Sequence, residues 1–254
     1  MAPLSNQPFF LEGERDRACL LLHGLGGGVY EFQPLATYLH QQGFTVQAVN
    51  YPGHDRPSRH MPASTWKQWY ARILETYDNL AQHYRSITVI GFSTGCPLGL
   101  NLAAEKPLET LILMSPFMAI KHEWYYLLRP ETYLYSIGYL IENVPRFHLQ
   151  IRDKNMRQAA EQAAFFTSFN LSAVRSALEL IDQVKPMLPQ LKVPCLILQS
   201  PKDSVVDPAG ASFIHQQLGS DCKKLHWLQH SDHIIPLDLE REEAFAQIGA
   251  FLQP

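Results

Sequence analysis

Short apolar runs recur along the chain, and most are followed by a turn of small or polar residues and then by a longer stretch whose apolar positions repeat every three or four residues. Ala18–Leu22, Thr45–Val49, Ser86–Ile90, Thr110–Met114, Cys195–Gln199 and Lys224–Leu228 have the length and apolar content of strands, and Phe9–Glu12 precedes them as a further strand joined through Gly13. Between these runs, Glu31–Gln42 reads as a helix closed by Gly43. Thr65 and Gln68 stand at capping-box spacing ahead of Trp66, Trp69, Tyr70, Ile73, Leu74, Tyr77 and Leu80, whose helical spacing predicts core positions. One helix follows Gly95 to about Lys106. Another begins at Asp207-Pro208, with Asp at the N-cap and Pro in first position, and a last one begins near Asp238. Strands alternating with helices imply an α/β fold, a mainly parallel sheet covered by helices on both faces.

Residues 119–171 break this rhythm, mixing Trp124, Tyr125, Tyr126, Tyr133, Tyr135, Tyr139, Phe165 and Phe166 with charged positions. The segment reads as a helical lid (cap) inserted into a core formed by residues 1–118 and 172–254. For any single aromatic the plainer role is packing the lid onto the core, but together they would supply an apolar underside that holds an apolar ligand and excludes water. Trp124 and Tyr125 are the candidate substrate contacts. Lys121, Arg129 and Glu131 form no one-sided basic face, which argues against a membrane-surface helix there.

Composition narrows the picture further. A chain of 254 residues suits one α/β domain with an insertion, and 46% hydrophobic against 18% charged residues excludes a disordered chain. A net charge of −3 offers no general attraction to nucleic acid. Cys19, Cys96, Cys195 and Cys222 are scattered without a C-x-x-C pair and read as reduced packing residues. The first residues show neither the basic segment nor the apolar run of a signal peptide, and no run of 18 apolar residues follows, so a cytoplasmic protein without an integral membrane segment is expected. No His, Cys or carboxylate grouping has metal-site spacing, so no metal and no other cofactor is implied.

The candidate chemistry centres on Gly91-Phe92-Ser93-Thr94-Gly95, set between the strand Ser86–Ile90 and a helix. A serine on so tight a turn is strained, its hydroxyl projects outward, and only small neighbours two residues away avoid a clash. Such a serine needs an acid and then a histidine downstream, each on a loop after a strand, where the carboxyl ends of the strands form one rim. Asp203 follows Cys195–Gln199 closely, whereas helix capping accounts for Asp207 four positions on. His230 and His233 both follow Lys224–Leu228, His230 being nearer the strand. Upstream, His23-Gly24-Leu25-Gly26-Gly27-Gly28 follows Ala18–Leu22, and its small residues free backbone N–H groups to face a developing oxyanion. His23 and His54 flank glycine turns and read as hydrogen bonders that brace them.

With these motifs in place the chain resembles the α/β-hydrolases, and within them the small bacterial carboxylesterases and monoacylglycerol lipases. The likeness runs from Leu22–Gly27 through Tyr51–His54 and the serine turn to Gln199–Asp203 and Ser231–Asp238. It implies Ser93 as nucleophile, Asp203 as acid, His233 as base, and the N–H groups of Leu25 and Thr94 as the oxyanion hole. The implied substrate is a small-molecule ester with an apolar acyl chain. The chain departs from the pattern in having Asp232 before the histidine, Asp55 after Gly53-His54, and Thr94 after the serine; the Asp232 charge is expected to raise the pKa of the base. The same triad also hydrolyses thioesters, amides or carbon–carbon bonds, and a slow-turnover ligand-binding protein would keep the same residues.

Overall fold

The apolar runs assemble into one seven-stranded sheet of order β1-β3-β2-β4-β5-β8-β9. Its strands are β1 (Phe9–Leu11), β2 (Arg17–Leu22), β3 (Thr45–Ala48), β4 (Ser86–Phe92), β5 (Thr110–Met114), β8 (Cys195–Gln199) and β9 (Lys223–Trp227). β1 pairs antiparallel with β3 and all other pairings are parallel. The computed structural model describes residues 3–122, 130–136 and 141–253.

Because successive side chains of a strand point to opposite faces, the inner strands feed two cores at once. Leu20, Leu22, Val89, Leu111 and Leu113 pack on one face with α2 (Trp66–Ala81), α3 (Gly95–Glu105), α6 (Leu171–Val184) and α7 (Ala209–Gln217). Cys19, Leu21, Ile90, Ile112 and Leu196 pack on the other with α1 (Gln33–Gln41), α5 (Lys154–Ala163) and α8 (Arg241–Leu252). The expected capping box is present at α2, where the Thr65 N–H donates to Gln68 Oε1 at 2.9 Å. Trp66, Trp69, Ile73, Tyr77 and Leu80 are buried beneath that helix, while Tyr70 and Leu74 pack at its margin.

Three local differences from the sequence expectation have physical causes. Residues Val29–Phe32 form a tight 3₁₀ turn before α1 instead of its first turn, which buries Glu31 rather than exposing it. The last helix starts at Arg241 and not near Asp238, because the Asp238 carboxylate is committed to other backbone groups. Residues 119–171 are not purely helical: beside α4 (Pro130–Leu134) and α5 they hold β6 (Asn143–Pro145) paired antiparallel with β7 (Ser168–Asn170). Directly after this ribbon comes α6, capped by Asn170, whose side chain accepts the N–H groups of Ser172 and Ala173. Cys19, Cys96 and Cys195 are buried, Cys222 is exposed, and all four are free thiols.

Candidate active site

β4 reverses into α3 within two residues, and the turn forces Ser93 into the left-handed region at φ 53°, a conformation that costs a non-glycine residue about 1–2 kcal/mol. A methyl group on Gly95 would strike the Leu22 carbonyl, and one on Gly91 would lie 2.5 Å from the Gly95 carbonyl oxygen, so both glycines are required. Two bonds to the end of β5 hold the strain: the Ser93 N–H donates to the Met114 carbonyl at 2.9 Å, and the Ser93 carbonyl accepts from the Phe117 N–H at 3.2 Å.

His233 Nε2 lies 3.0 Å from Ser93 Oγ, and His233 Nδ1 lies 2.8 Å from Asp203 Oδ2. The fully buried Asp203 also accepts the N–H groups of Val205 and Val206 on Oδ1, at 2.8 and 3.0 Å, and the Gln199 amide on Oδ2 at 3.1 Å. Burial alone would raise its pKa, but the charge and bond of His233 and the two N–H groups outweigh it and hold the carboxyl below its ordinary value. For His233 burial pulls the other way from its partners. The Asp203 charge and bond overcome it, Glu31 and Asp232 add smaller contributions, and the pKa ends above 6.5. Asp232 therefore acts in the expected direction but last in size, its carboxylate being occupied by the N–H and hydroxyl of Ser204 at 2.9 and 2.8 Å.

The loop carrying His233 is fixed by groups that the sequence reading did not single out. Ser115, also left-handed at φ 46°, donates from Oγ to the His233 carbonyl at 2.7 Å. Asp238, 0% exposed, accepts the N–H groups of Arg152, Asp153 and Leu239 on Oδ1 and that of Asp232 on Oδ2, at 2.8, 3.0, 2.8 and 2.6 Å. Glu240 accepts the N–H groups of Gln229, His230 and Ser231. His230 is exposed, whereas Asp207 caps α7 through the Ala209 N–H at 2.9 Å. Neither joins the Ser93 cluster. A carboxylate followed by a helix is common enough that only the tertiary pairing reveals what Asp238 and Glu240 do.

The turn after β2 approaches the serine closely: a methyl group on Gly24 would lie 3.2 Å from Ser93 Cβ. Most polar groups of this turn are taken. The Gly24 N–H donates to Glu31 Oε2 at 3.2 Å, the Gly24 carbonyl accepts the Gly27 N–H at 3.2 Å and sits 2.9 Å from His23 Nδ1, and the Gly26 N–H donates to His54 Nε2 at 3.0 Å. Among the described residues, no chain partner is bonded to the N–H of Leu25 or of Thr94. His54 must be neutral to accept that bond, and burial takes its pKa down to about 4. Burial, together with the nearby His54, likewise depresses His23, which stacks on Tyr51 with ring centres 4.0 Å apart.

Ser93 and His233 open into a cavity of about 580 Å³ with mainly apolar walls. Residues 119–171 supply much of that wall, including Ile120, Tyr133, Leu134, Ile141, Val144 and Leu149. Its polar lining includes Glu31 and Arg146, neither of which the sequence marked out. Trp124 and Tyr125 lie outside the described residues. Among the described residues, no grouping of three or more His, Cys, Asp or Glu side chains could hold a metal ion, and no helix is long and apolar enough to cross a membrane.

The profile of the family described as Hydrolase_4: Serine aminopeptidase, S33 matches residues 13–240. The chain is similar to a carboxylesterase of Bacillus subtilis (strain 168), 26% identical over 254 residues and covering 100% of this chain and 98% of that one. It is also similar to a thermostable monoacylglycerol lipase of Bacillus sp. (strain H-257), 28% identical over 236 residues, 92% of this chain and 89% of the lipase. A solved structure from work on LipS and LipT, two metagenome-derived lipolytic enzymes, superposes with a TM-score of 0.82 at 21% identity, covering 99% of this chain and 98% of that one.

Proposed function

Because the chain belongs to the Hydrolase_4 family, the serine aminopeptidase S33 group of α/β hydrolases, we propose that it is a serine carboxylic-ester hydrolase of the carboxylesterase or monoacylglycerol lipase kind. The observation that carries the reading is the bond series Ser93–His233–Asp203, at 3.0 and 2.8 Å, opening on an apolar cavity of about 580 Å³. The similarity to a carboxylesterase and a monoacylglycerol lipase over nearly the whole chain supports the ester bond as substrate.

His233, neutral and oriented by Asp203, takes the Ser93 proton at Nε2 while Ser93 Oγ bonds to the ester carbonyl carbon. The carbonyl oxygen gathers the negative charge, and the N–H groups of Leu25 and Thr94 stabilise it; loss of one such donor typically costs about 3 kcal/mol. His233 then passes its proton to the leaving alcohol, and the acyl group stays on Ser93. A water gives a proton to the same nitrogen and attacks the acyl carbon. Ser93 leaves with that proton and the carboxylic acid is released. Residues 119–171 act as a lid over this site, their apolar side chains holding the acyl chain and excluding bulk water. The raised pKa of His233 suits a base whose conjugate acid must persist until the alcohol departs.

Hydrolysis of p-nitrophenyl esters from acetate to palmitate, run beside a monoacylglycerol and an acyl thioester, tests the reading. Turnover of oxygen esters that disappears in Ser93→Ala, with the variant still folded, is expected. Wild-type turnover in that variant would overturn the assignment, and turnover of the thioester alone would replace ester with thioester.

A further inference from the structure

Leu25 lies in a turn whose neighbours are pinned from both sides. A trans peptide sets its N–H opposite its C=O, so the bonds made by the Gly24 carbonyl fix the direction of the Leu25 N–H. That carbonyl accepts the Gly27 N–H at 3.2 Å and faces His23 Nδ1 at 2.9 Å. Glu31 anchors the near side through the Gly24 N–H, and His54 anchors the Gly26 N–H. All of these come from the sheet domain. The Gly26 carbonyl, in contrast, is bonded by a residue of the inserted segment: Arg146 donates to it from Nη1 at 3.1 Å.

Arg146 is itself held on three sides. Its Nη2 donates to the Phe166 carbonyl at 2.6 Å, its backbone N–H donates to the Thr167 carbonyl at 2.8 Å, and its guanidinium carbon lies 5.4 Å from the centre of the Phe169 ring. The same Phe169 ring packs on Gly26, where a methyl group would come within 2.8 Å of it. Gly26 is left-handed at φ 65°, which glycine adopts without strain, so it is free to take up the close approach of the Phe169 ring. A planar guanidinium with two fixed forks transmits position better than a flexible ammonium would. Its charge also acts on buried Glu31 across the turn.

We propose that Arg146 is a positioning residue for catalysis: by holding the Gly26 carbonyl it couples the β6–β7 ribbon to the oxyanion turn and keeps the Leu25 N–H aimed at the reacting oxygen. The proposal rests on the Ser93, Leu25 and Thr94 reading above. Arg146 lines the cavity but bonds to the Gly26, Phe166 and Thr167 carbonyls and not to Ser93, so its effect falls on the transition state through Leu25.

The test compares Arg146→Ala, Arg146→Gln and Arg146→Lys with the wild type on p-nitrophenyl butyrate, using Ser93→Ala as the reference for the chemistry. In Arg146→Ala, kcat falls by about 10- to 100-fold, less than the 10²- to 10³-fold typical of deleting a whole oxyanion donor, while KM changes by less than about threefold. An alkyl trifluoromethyl ketone, to which Ser93 adds to form an oxyanion as its proton passes to His233, binds more weakly by the same factor. The matching secondary alcohol, which forms no oxyanion, binds as before. Arg146→Lys recovers part of the loss. A kcat within twofold of wild type, a KM effect alone, or equal weakening of ketone and alcohol overturns the proposal. If Arg146→Ala does not fold, Arg146→Gln and Arg146→Lys carry the same comparison. An active Ser93→Ala would strike the underlying reading instead, so the two failures are distinct.

Discussion

Glu31 is 3% exposed and its pKa is pushed from an ordinary 4.5 up to about 7, chiefly by burial, against the opposing pull of the Gly24 N–H and the charges of Arg146 and His233. The unfolded carboxyl loses its proton near 4.5, whereas the folded one keeps it to about 7. The protonated form therefore contributes full stability below pH 4.5, and that stability declines as pH rises and is gone above about 7. At about 1.4 kcal/mol per pH unit, the gap between the two values corresponds to a cost of about 3 kcal/mol on the alkaline side. Glu31→Gln removes the ionisation and keeps an oxygen acceptor for the Gly24 N–H. The variant is expected to exceed wild type by about 3 kcal/mol at pH 8 and by only about 1 kcal/mol at pH 5. Urea unfolding at both pH values, read as the midpoint multiplied by the slope, measures this difference. An equal gain at the two pH values, or a Gln variant weaker than wild type at pH 8, would refute the reasoning, since either result means that Glu31 does not titrate in its buried site.

Two other outcomes follow from the same geometry. Under the proposed mechanism His233 is neutral when it accepts the Ser93 proton, and its pKa lies above 6.5, so kcat/KM should rise with pH through a midpoint above 6.5; Asp232→Asn should move that midpoint little, because Asp232 is the smallest of the contributors. A midpoint at or below 6.5 in the pH–rate profile would contradict this. Asn170→Ala removes the oxygen that caps α6 through the Ser172 and Ala173 N–H groups at 3.0 and 3.3 Å, and should cost about 1–2 kcal/mol in urea unfolding.

The parallel sheet was legible because its signals are local. Apolar runs such as Leu20–Leu22 and Val89–Ile90 need burial on both faces, and Gly91 and Gly95 around Ser93 announce a turn that no larger residue fits. A serine turn, then a carboxylate and a histidine, each on a loop after a strand, were legible as an order along the chain, and those strands are β4, β8 and β9, with β5 between the first two; order alone left His230 beside His233, and the likeness to the α/β-hydrolases favoured His233. Capping logic also separated Asp203 from Asp207. The β6–β7 ribbon left no such trace: each strand has three residues, one of them Pro145, and each pairs with a partner far along the chain. α6 did carry a helical signal in Leu171, Leu178, Ile181 and Val184 behind the Asn170 cap, but it stands beside the aromatic-rich segment that drew the reading away. Glu31, Arg146 and Asp238 were invisible for another reason. Their roles lie in bonds to backbone groups, within the same turn for Glu31 and in distant segments for Arg146 and Asp238, and a sequence does not disclose which carboxylate or guanidinium will meet a bare peptide group.

The Asp238 carboxylate gathers N–H groups from both sides of the His233 loop and from Arg152 and Asp153, so the far part of the inserted segment and His233 share one anchor. For recombination among relatives this moves the seam. A foreign segment exchanged over 119–171 would carry its own backbone into the seat now filled by residues 152 and 153, whereas an exchange ending before 152 leaves that seat native. A change of the cavity wall in a chimera is thus separable from a change in the His233 loop only when the crossover respects that anchor.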